Sequence, residues 1–163
     1  MIIQFAKFED LPSIVEIYNQ SIRSGVVTGD MDEFRPEDRE DWFNIFDRNS
    51  YPIYVIRNNE TVVGYATLSP YRKGRRAMSK IAEVSYFLHF DYRGKGIGSM
   101  LMDHVIKDCV RLKKEVLLAI LVAINDESVR FLKKWQFEEW ARMPDIIDFG
   151  SYRCDHLIYG RKI

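Results

Sequence analysis

Three glycines alternate with other residues in the stretch DYRGKGIGSML, and two basic side chains lie among them. In order along the chain these residues are Arg93, Gly94, Lys95, Gly96 and Gly98. An apolar run precedes the stretch and a helical pattern follows it, so the glycines fall between a predicted strand and a predicted helix. Glycine lets backbone N–H groups approach a ligand closely, and a helix N-terminus attracts anions. The pattern therefore predicts a phosphate-binding loop; a tight turn without a ligand is the alternative.

The spacing of the glycines excludes two common phosphate-binding motifs. A P-loop needs G-x-x-x-x-G-K-[ST], but Lys95 precedes Gly96 and no such ending follows. The dinucleotide-binding fingerprint needs G-x-G-x-x-G, whereas this stretch reads G-x-G-x-G. No acidic residue ends the next apolar strand, where that fingerprint would place one on a ribose. A nucleotide-binding protein is therefore disfavoured, and a loop that holds a pyrophosphate on successive N–H groups remains.

A single glutamate lies in the apolar strand that leads to the glycines. Glu83 stands ten residues before Arg93 and has Ala82 and Val84 as neighbours. Burial raises the pKa of a carboxyl group toward the range in which it acts as a general base. The alternatives are an ion pair with a nearby arginine and a position that faces solvent.

Composition limits the class of protein. The 163 residues are 47% hydrophobic and 13% aromatic, which predicts one domain, residues 1–163, with a substantial core. The 24 basic and 24 acidic residues balance, so nucleic acid is not expected as a partner. No segment of about 20 apolar residues and no signal-peptide pattern occur, so we expect a cytoplasmic protein with no membrane partner. Two distant cysteines and three scattered histidines predict neither a disulfide framework nor a metal site.

Periodicity predicts the elements that position these residues. Their order is β-α-α-β-β-β-α-β-α-β-β, a mixed α/β (α+β) fold. Asp10 is the predicted N-cap of the first helix, and Pro36 is predicted to open the second. The run EVLLAILVAI predicts a strand buried on both faces, and Asn125 just after it is a candidate helix cap.

The pattern R-x-x-G-x-G, formed by Arg93, Gly96 and Gly98, resembles the signature motif of the GNAT acetyltransferase superfamily. The chain from Phe8 through Asn125 is similar to the phosphinothricin and methionine sulfoximine N-acetyltransferase branch. Segments that carry this similarity are EIYNQSI, DREDWF, YPIYV, VVGYATLSPYR and AEVSYFLHFDYRGKGIG. The resemblance implies a mostly antiparallel central sheet flanked by helices, with a strand–glycine loop–helix cofactor site.

The resemblance also implies an activity: direct transfer of an acetyl group from acetyl-CoA to a small-molecule amine in a ternary complex, with Glu83 as the base. In the family, the glycine loop holds the pyrophosphate of acetyl-CoA, and the strand before it pairs with the pantetheine arm. The implied cofactor-binding residues are Tyr86, Phe87, Leu88, Arg93, Gly94, Lys95, Gly96, Ile97, Gly98, Ser99 and Asn125. No metal is implied, and the protein is expected to be a homodimer. The alternatives are ordinary strand packing for the first three residues and a plain helix cap for Asn125.

Two features concern the acceptor and the leaving group. Arg72 opens the basic loop YRKGRRAMSK at the end of a strand, and we expect it to bind the carboxylate of an amino-acid acceptor. A solvated basic loop is the alternative. Relatives carry a Tyr or a His where this chain has Leu132, so the general acid is unassigned, with Tyr86 and Tyr152 as candidates.

Three other functions stay open on the sequence alone. The missing acid at Leu132 favours a non-catalytic acyl-CoA-binding module, whereas a desolvated Glu83 favours an enzyme. Within the enzyme class, the acceptor could be a protein amine or a polyamine, although a polyamine site calls for clustered carboxylates.

Overall fold

The computed structural model describes all 163 residues, and its seven strands form one sheet. The strands are β1 (Ile2–Phe5), β2 (Ile53–Asn58), β3 (Thr61–Pro70), β4 (Ile81–Leu88), β5 (Val116–Val122), β6 (Glu138–Asp148) and β7 (Arg153–Lys162). The helices are α1 (Leu11–Arg23), α2 (Glu40–Asn44), α3 (Ile97–Asp108) and α4 (Asp126–Lys134). Single 3₁₀ turns lie at Phe8–Asp10, Pro36–Arg39, Arg76–Met78 and Phe90–Tyr92. The predicted order of helices and strands is confirmed.

The strands follow the order β1-β2-β3-β4-β5-β7-β6 across the sheet. All neighbours are antiparallel except β4 and β5, which run parallel because α3 crosses between them. The predicted sheet, mostly antiparallel and flanked by helices, is confirmed.

The one parallel pair separates partway along its length. Its register joins Ile81 to Val116, Ala82 to Leu117 and Glu83 to Leu118, and it ends there. β4 continues to Leu88 and stays paired with β3 throughout. The side of β4 that faces β5 therefore has no strand partner beyond Glu83, and a gap opens between the two strands.

Two groups of buried side chains lie on opposite faces of the sheet. The larger packs α3 and α4 on one face and includes Val84, Leu101 and Leu132. The smaller packs α1 on the other face and includes Ile17 and Tyr65. Because side chains alternate along a strand, β4 presents Val84 and Tyr86 to the first group and Phe87 to the second. The neighbouring Leu117 and Leu118 of β5 are 0% and 5% exposed, so burial of that strand on both faces is confirmed.

The prediction for Asp10 was wrong in its chemistry. Asp10 directly precedes α1, but its side chain makes no capping hydrogen bond to that helix. The carboxylate accepts the backbone N–H of Lys7 at 2.9 Å and forms an ion pair with Arg57 of β2. Asp10 is only 4% exposed, and a buried carboxylate without a counter-charge is costly. The carboxylate therefore pairs with the arginine and does not cap the helix.

The prediction for Pro36 needs a smaller correction. Pro36 opens a 3₁₀ turn, and the α-helical part is limited to the five residues of α2. None of the helices is both long enough and apolar enough to cross a membrane.

Candidate active site

The glycine loop connects β4 to α3, and its backbone conformation explains two of the glycines. Gly94 and Gly96 have φ angles of +70° and +77°, in the left-handed region that other residues rarely adopt. Gly96 is the residue that precedes α3, so the chain turns sharply into the helix there. Gly98 lies two residues further on, in the first turn of α3, where an added Cβ would be 3.3 Å from Cδ1 of Leu88. The third glycine thus permits close packing of α3 on β4.

This turn leaves consecutive backbone donors without acceptors. The N–H groups of residues 94–98 form no hydrogen bond within the protein, while Ser99 and Met100 already donate to the carbonyl of Gly96. Free N–H groups at the start of a helix, reinforced by the helix dipole, form an anion-binding site. The loop has the donors that a pyrophosphate requires.

A cavity of about 300 Å³ lies in front of the loop. Ten of the eleven predicted cofactor-binding residues line it, and Lys95 does not. Five lining residues were not predicted: Val27, Glu127, Ser128, Phe131 and Lys134. Four of these lie on α4 at positions that fall on one side of a helix, which is a signal the sequence did contain. Val27 comes from the loop after α1 and has no such signal.

The two basic residues of the loop behave differently. The Arg93 guanidinium lines the cavity, stacks 3.9 Å from the Phe90 ring centroid and lies 3.7 Å from the Glu127 carboxylate. Burial lowers the pKa of Arg93 from its high ordinary value. Lys95 turns away, because its Nζ donates to the carbonyl of Asp91 at 2.7 Å. The lysine that lines the cavity is therefore Lys134 of α4 and not Lys95.

Asn125 holds the start of α4 next to the loop. Its Oδ1 accepts the backbone N–H of Ser128 at 3.1 Å, so the predicted helix cap is confirmed. Asn125 is 6% exposed and also lines the cavity. The two interpretations of Asn125 are compatible, because the cap occupies only the side-chain oxygen.

A smaller cavity of about 60 Å³ continues into the gap between the strands. It is lined by residues 84–87 of β4, residues 119–121 of β5, and Ser128 and Leu132 of α4. Tyr86, Phe87 and Asn125 line both cavities, so the two adjoin. A thin ligand arm lying along the unpaired side of β4 would lead from the glycine loop into this gap.

Glu83 lies at the point where the strands separate. It is the last residue of β4 that pairs with β5, and the smaller cavity begins at the next residue. Burial raises the pKa of the Glu83 carboxyl, and no ion pair or hydrogen bond contributes to the shift. The alternative of an arginine partner is therefore wrong: Glu83 is a partly desolvated carboxyl without a counter-charge.

Arg72 lies two residues after the end of β3, the strand that pairs with the Glu83-bearing strand β4. Ser69 of β3 pairs with Glu83, and Arg72 follows it in the turn after Pro70. The Arg72 side chain is exposed, with its guanidinium 5.3 Å from the Tyr71 ring centroid. It lies near the same end of the sheet as Glu83 and forms no ion pair.

The candidate proton donors occupy different places. Leu132 is 1% exposed and lines the smaller cavity without any polar atom. Tyr152 lines neither cavity, and its hydroxyl donates to the carbonyl of Gly25 at 3.0 Å. The Tyr86 hydroxyl is buried beside both cavities. No three His, Cys, Asp or Glu side chains cluster in a way that could hold a metal ion.

A glycine loop with free N–H groups beside a pair of separating parallel strands is an arrangement that can hold a phosphate at the loop and an extended ligand arm along the unpaired strand edge. The comparison with protein families agrees with this arrangement. The chain belongs to the GNAT acetyltransferase family, whose model matches residues 11–137.

Individual relatives narrow the resemblance. YwnH of Bacillus subtilis strain 168 is 34% identical over 100% of this chain and 99% of its own. The L-methionine sulfoximine/L-methionine sulfone acetyltransferase of Salmonella typhimurium is 28% identical over 93% of this chain and 89% of its own. A phosphinothricin acetyltransferase from Sinorhizobium meliloti, solved with acetyl-CoA, superimposes with a TM-score of 0.90 at 27% identity, covering 99% of this chain and 88% of that one.

These findings confirm the resemblance stated from the motifs. The chain is an acetyl-CoA-dependent N-acetyltransferase, and the alternative of a non-catalytic binding module is set aside.

Proposed function

We propose that this protein acetylates the α-amine of a small amino acid, of the kind represented by phosphinothricin and methionine sulfoximine. The observation that carries the proposal is the unpaired, partly buried Glu83 carboxyl at the mouth of the gap between β4 and β5. The names of the Salmonella and Sinorhizobium relatives support the amino-acid class of acceptor.

The cosubstrate acetyl-CoA supplies an activated acetyl group as a thioester. The free N–H groups of residues 94–98 bind its pyrophosphate, and Arg93 and Lys134 add positive charge. The backbone of residues 86–88, which has no partner on the β5 side, binds the pantetheine arm in the manner of an added strand. This arrangement directs the thioester toward Glu83.

Glu83 removes a proton from the attacking amine, directly or through a water molecule. An amine attacks only in its neutral form, and a carboxylate with a raised pKa is a better proton acceptor than an ordinary one. The amine attacks the thioester carbon while both substrates are bound, so no acyl-enzyme forms.

Arg72 binds the acceptor carboxylate and leaves the α-amine close to Glu83. The turn around it is basic, with Lys73, Arg75 and Arg76 also exposed. A polycationic acceptor would be repelled there, whereas a carboxylate would be attracted. We also infer that residues 1–163 act as one N-acetyltransferase domain in a cytoplasmic homodimer.

Replacing Arg72 tests acceptor binding separately from the chemical step. Arg72→Ala should raise the KM for a preferred amino acid about tenfold, since losing a charged hydrogen bond costs about 1.5 kcal/mol at the lower end. The kcat and the KM for acetyl-CoA should change little. The measurement is CoA thiol release with a panel of free amino acids, their decarboxylated analogues and peptide amines.

Arg76→Ala is the matched control, because Arg76 is exposed in the same basic segment but lies further from β3. It should leave amino-acid kinetics unchanged. If decarboxylated analogues or peptide amines outperform every amino acid, the proposed acceptor class is wrong. If both variants raise the KM equally, the effect is general electrostatics rather than a contact with Arg72.

A further inference from the structure

One polar atom next to the cofactor cavities has no function in the account above. The Tyr86 hydroxyl is buried and has no hydrogen-bond partner in the protein. Leaving such a group unpaired is energetically costly, so native structures contain few of them. A buried hydroxyl of this kind, on a residue that lines a ligand cavity, points to a partner that arrives with the ligand.

The surroundings of Tyr86 hold its ring in one position. The ring packs on Phe131 of α4 with centroids 5.0 Å apart, and it lines both the larger cavity and the gap between the strands. The Ser128 side chain lies near the phenol and partly lowers its pKa, but the two groups form no hydrogen bond of normal geometry. Burial nevertheless raises the pKa of Tyr86 well above its ordinary value, so the phenol stays neutral and keeps its proton.

On the proposed path of the pantetheine arm along β4, acetyl transfer creates a negative charge near Tyr86. As the amine nitrogen bonds to the thioester carbon, the C–S bond breaks and its electron pair goes to the sulfur. Glu83 accepts the amine proton in this step and acts as a base, so the thiolate needs stabilisation from another group. Leu132, which lines the same gap, has no polar atom at all.

We propose that the Tyr86 hydroxyl donates a hydrogen bond to the sulfur of the CoA leaving group and stabilises the thiolate as the C–S bond breaks. The amine proton passes to Glu83, Tyr86 keeps its own proton, and the thiolate takes a proton from solvent when CoA leaves. The proposal rests on the proposed path of the pantetheine arm along β4. A neutral donor aimed at developing negative charge in a site that excludes water is an effective form of catalysis.

The direct test is the thiol pKa of bound CoA. Tyr86→Phe removes the hydroxyl and keeps the ring on Phe131. Because a hydrogen bond to the charged form lowers a pKa, the thiol of CoA bound to the unmodified protein should titrate about one pH unit or more below that of CoA bound to Tyr86→Phe. Thiolate ultraviolet absorbance follows the titration, with the kcat of the variant expected to fall about tenfold or more. The affinity for CoA, measured by calorimetry, should change little.

Two further variants make the assignment specific. Tyr159→Phe is the same change at a tyrosine whose hydroxyl contacts Glu139 and which lines neither cavity, so it should leave the thiol pKa as it is. Ser128→Ala removes the other hydroxyl near Tyr86. If Ser128→Ala raises the thiol pKa and Tyr86→Phe does not, the donor is Ser128 and the proposal is overturned.

A subtler replacement covers the case in which Tyr86→Phe does not fold. 3-Fluorotyrosine at position 86 keeps the packing and makes the phenol a stronger donor, so the thiol pKa should fall further. An unchanged value would overturn the proposal. If CoA binds normally and its thiol pKa is the same on the unmodified protein and on Tyr86→Phe, only the role of Tyr86 is overturned. If the unmodified protein does not bind CoA, the proposed cofactor site is overturned as well.

Discussion

A carboxyl group without a partner makes the rate depend on pH in a defined direction. Burial raises the pKa of Glu83, so its basic form appears at a higher pH than for an ordinary glutamate. The kcat should therefore rise with pH through this raised pKa. Glu83→Gln should lose that limb of the pH–rate profile and lower the kcat by about 10²-fold, with acetyl-CoA binding nearly unchanged. A variant with near wild-type kcat from pH 6 to 9 would remove Glu83 from the mechanism.

The same residue has an opposite effect on stability. Because folding disfavours the ionised form of Glu83, the free energy of unfolding decreases as pH rises through the raised pKa. Glu83→Gln removes this effect, so its melting temperature at neutral pH should equal or exceed that of the unmodified protein. Calorimetry at two pH values checks this. A clear loss of stability would mean that the carboxylate has a stabilising partner.

The residues show how far sequence reasoning extends. An acid inside an apolar strand pattern is visible as an anomaly, and Glu83 could be singled out on that ground. The ion-pair partner of Asp10 could not be identified from the sequence. Arg57 lies 47 positions away and meets Asp10 only because β1 pairs with β2. The direction of the Lys95 side chain could not be identified either. Its Nζ donates to the carbonyl of Asp91, and the residue type alone does not show which acceptor a lysine finds.

At the scale of one element, the start of α3 depends on glycine conformation. Valine at Gly96 would add strain at φ +77° and disturb the free N–H groups. With the unmodified protein, acetyl-CoA at about 100 times its Kd should stabilise by about 2.7 kcal/mol. That corresponds to a rise in melting temperature of roughly 5–10 °C for a chain of this size. Gly96→Val should abolish the rise while the protein still folds.

Gly150→Val provides the matched control. Gly150 has a similar φ of +82° and open space around it, but it lies in the turn between β6 and β7 and lines neither cofactor cavity. This variant suffers comparable backbone strain and should retain the full rise with acetyl-CoA. If Gly96→Val also retains it, the glycine loop does not bind the pyrophosphate.

The elements themselves were predictable because their hydrophobic periods are clear. The order of strands and helices, the hairpins and the Asn125 cap all follow from local patterns. The separation of β4 from β5 does not, because both strands remain apolar beyond Glu83 and nothing in their sequences ends the pairing. The gap is lined by residues of β4, β5 and α4, which lie far apart in the chain.

At the scale of the whole molecule, the sheet has two edge strands, β1 and β6, and β6 is the more exposed of the two. β6 is the last strand, most of its residues are exposed, and Trp140 and Ile146 are 45% and 57% exposed. An open edge with apolar side chains favours association with another chain. We expect the homodimer to use this edge, so Ile146→Glu should shift the mass measured by light scattering from dimer to monomer. A monomer for the unmodified protein would contradict the expected oligomeric state.

The glycine loop presents free main-chain N–H groups, and under the proposed function this separates two kinds of pH response. Backbone N–H groups do not titrate, and the guanidinium of Arg93 stays charged far above neutrality. Acetyl-CoA binding should therefore be almost constant between pH 7 and 9, and any pH dependence of the kcat that comes from Glu83 should follow its raised pKa. If the pH inside a cell drifts, we expect the fraction of enzyme that carries acetyl-CoA to stay constant. Any change in rate should then come from Glu83, ten residues before Arg93.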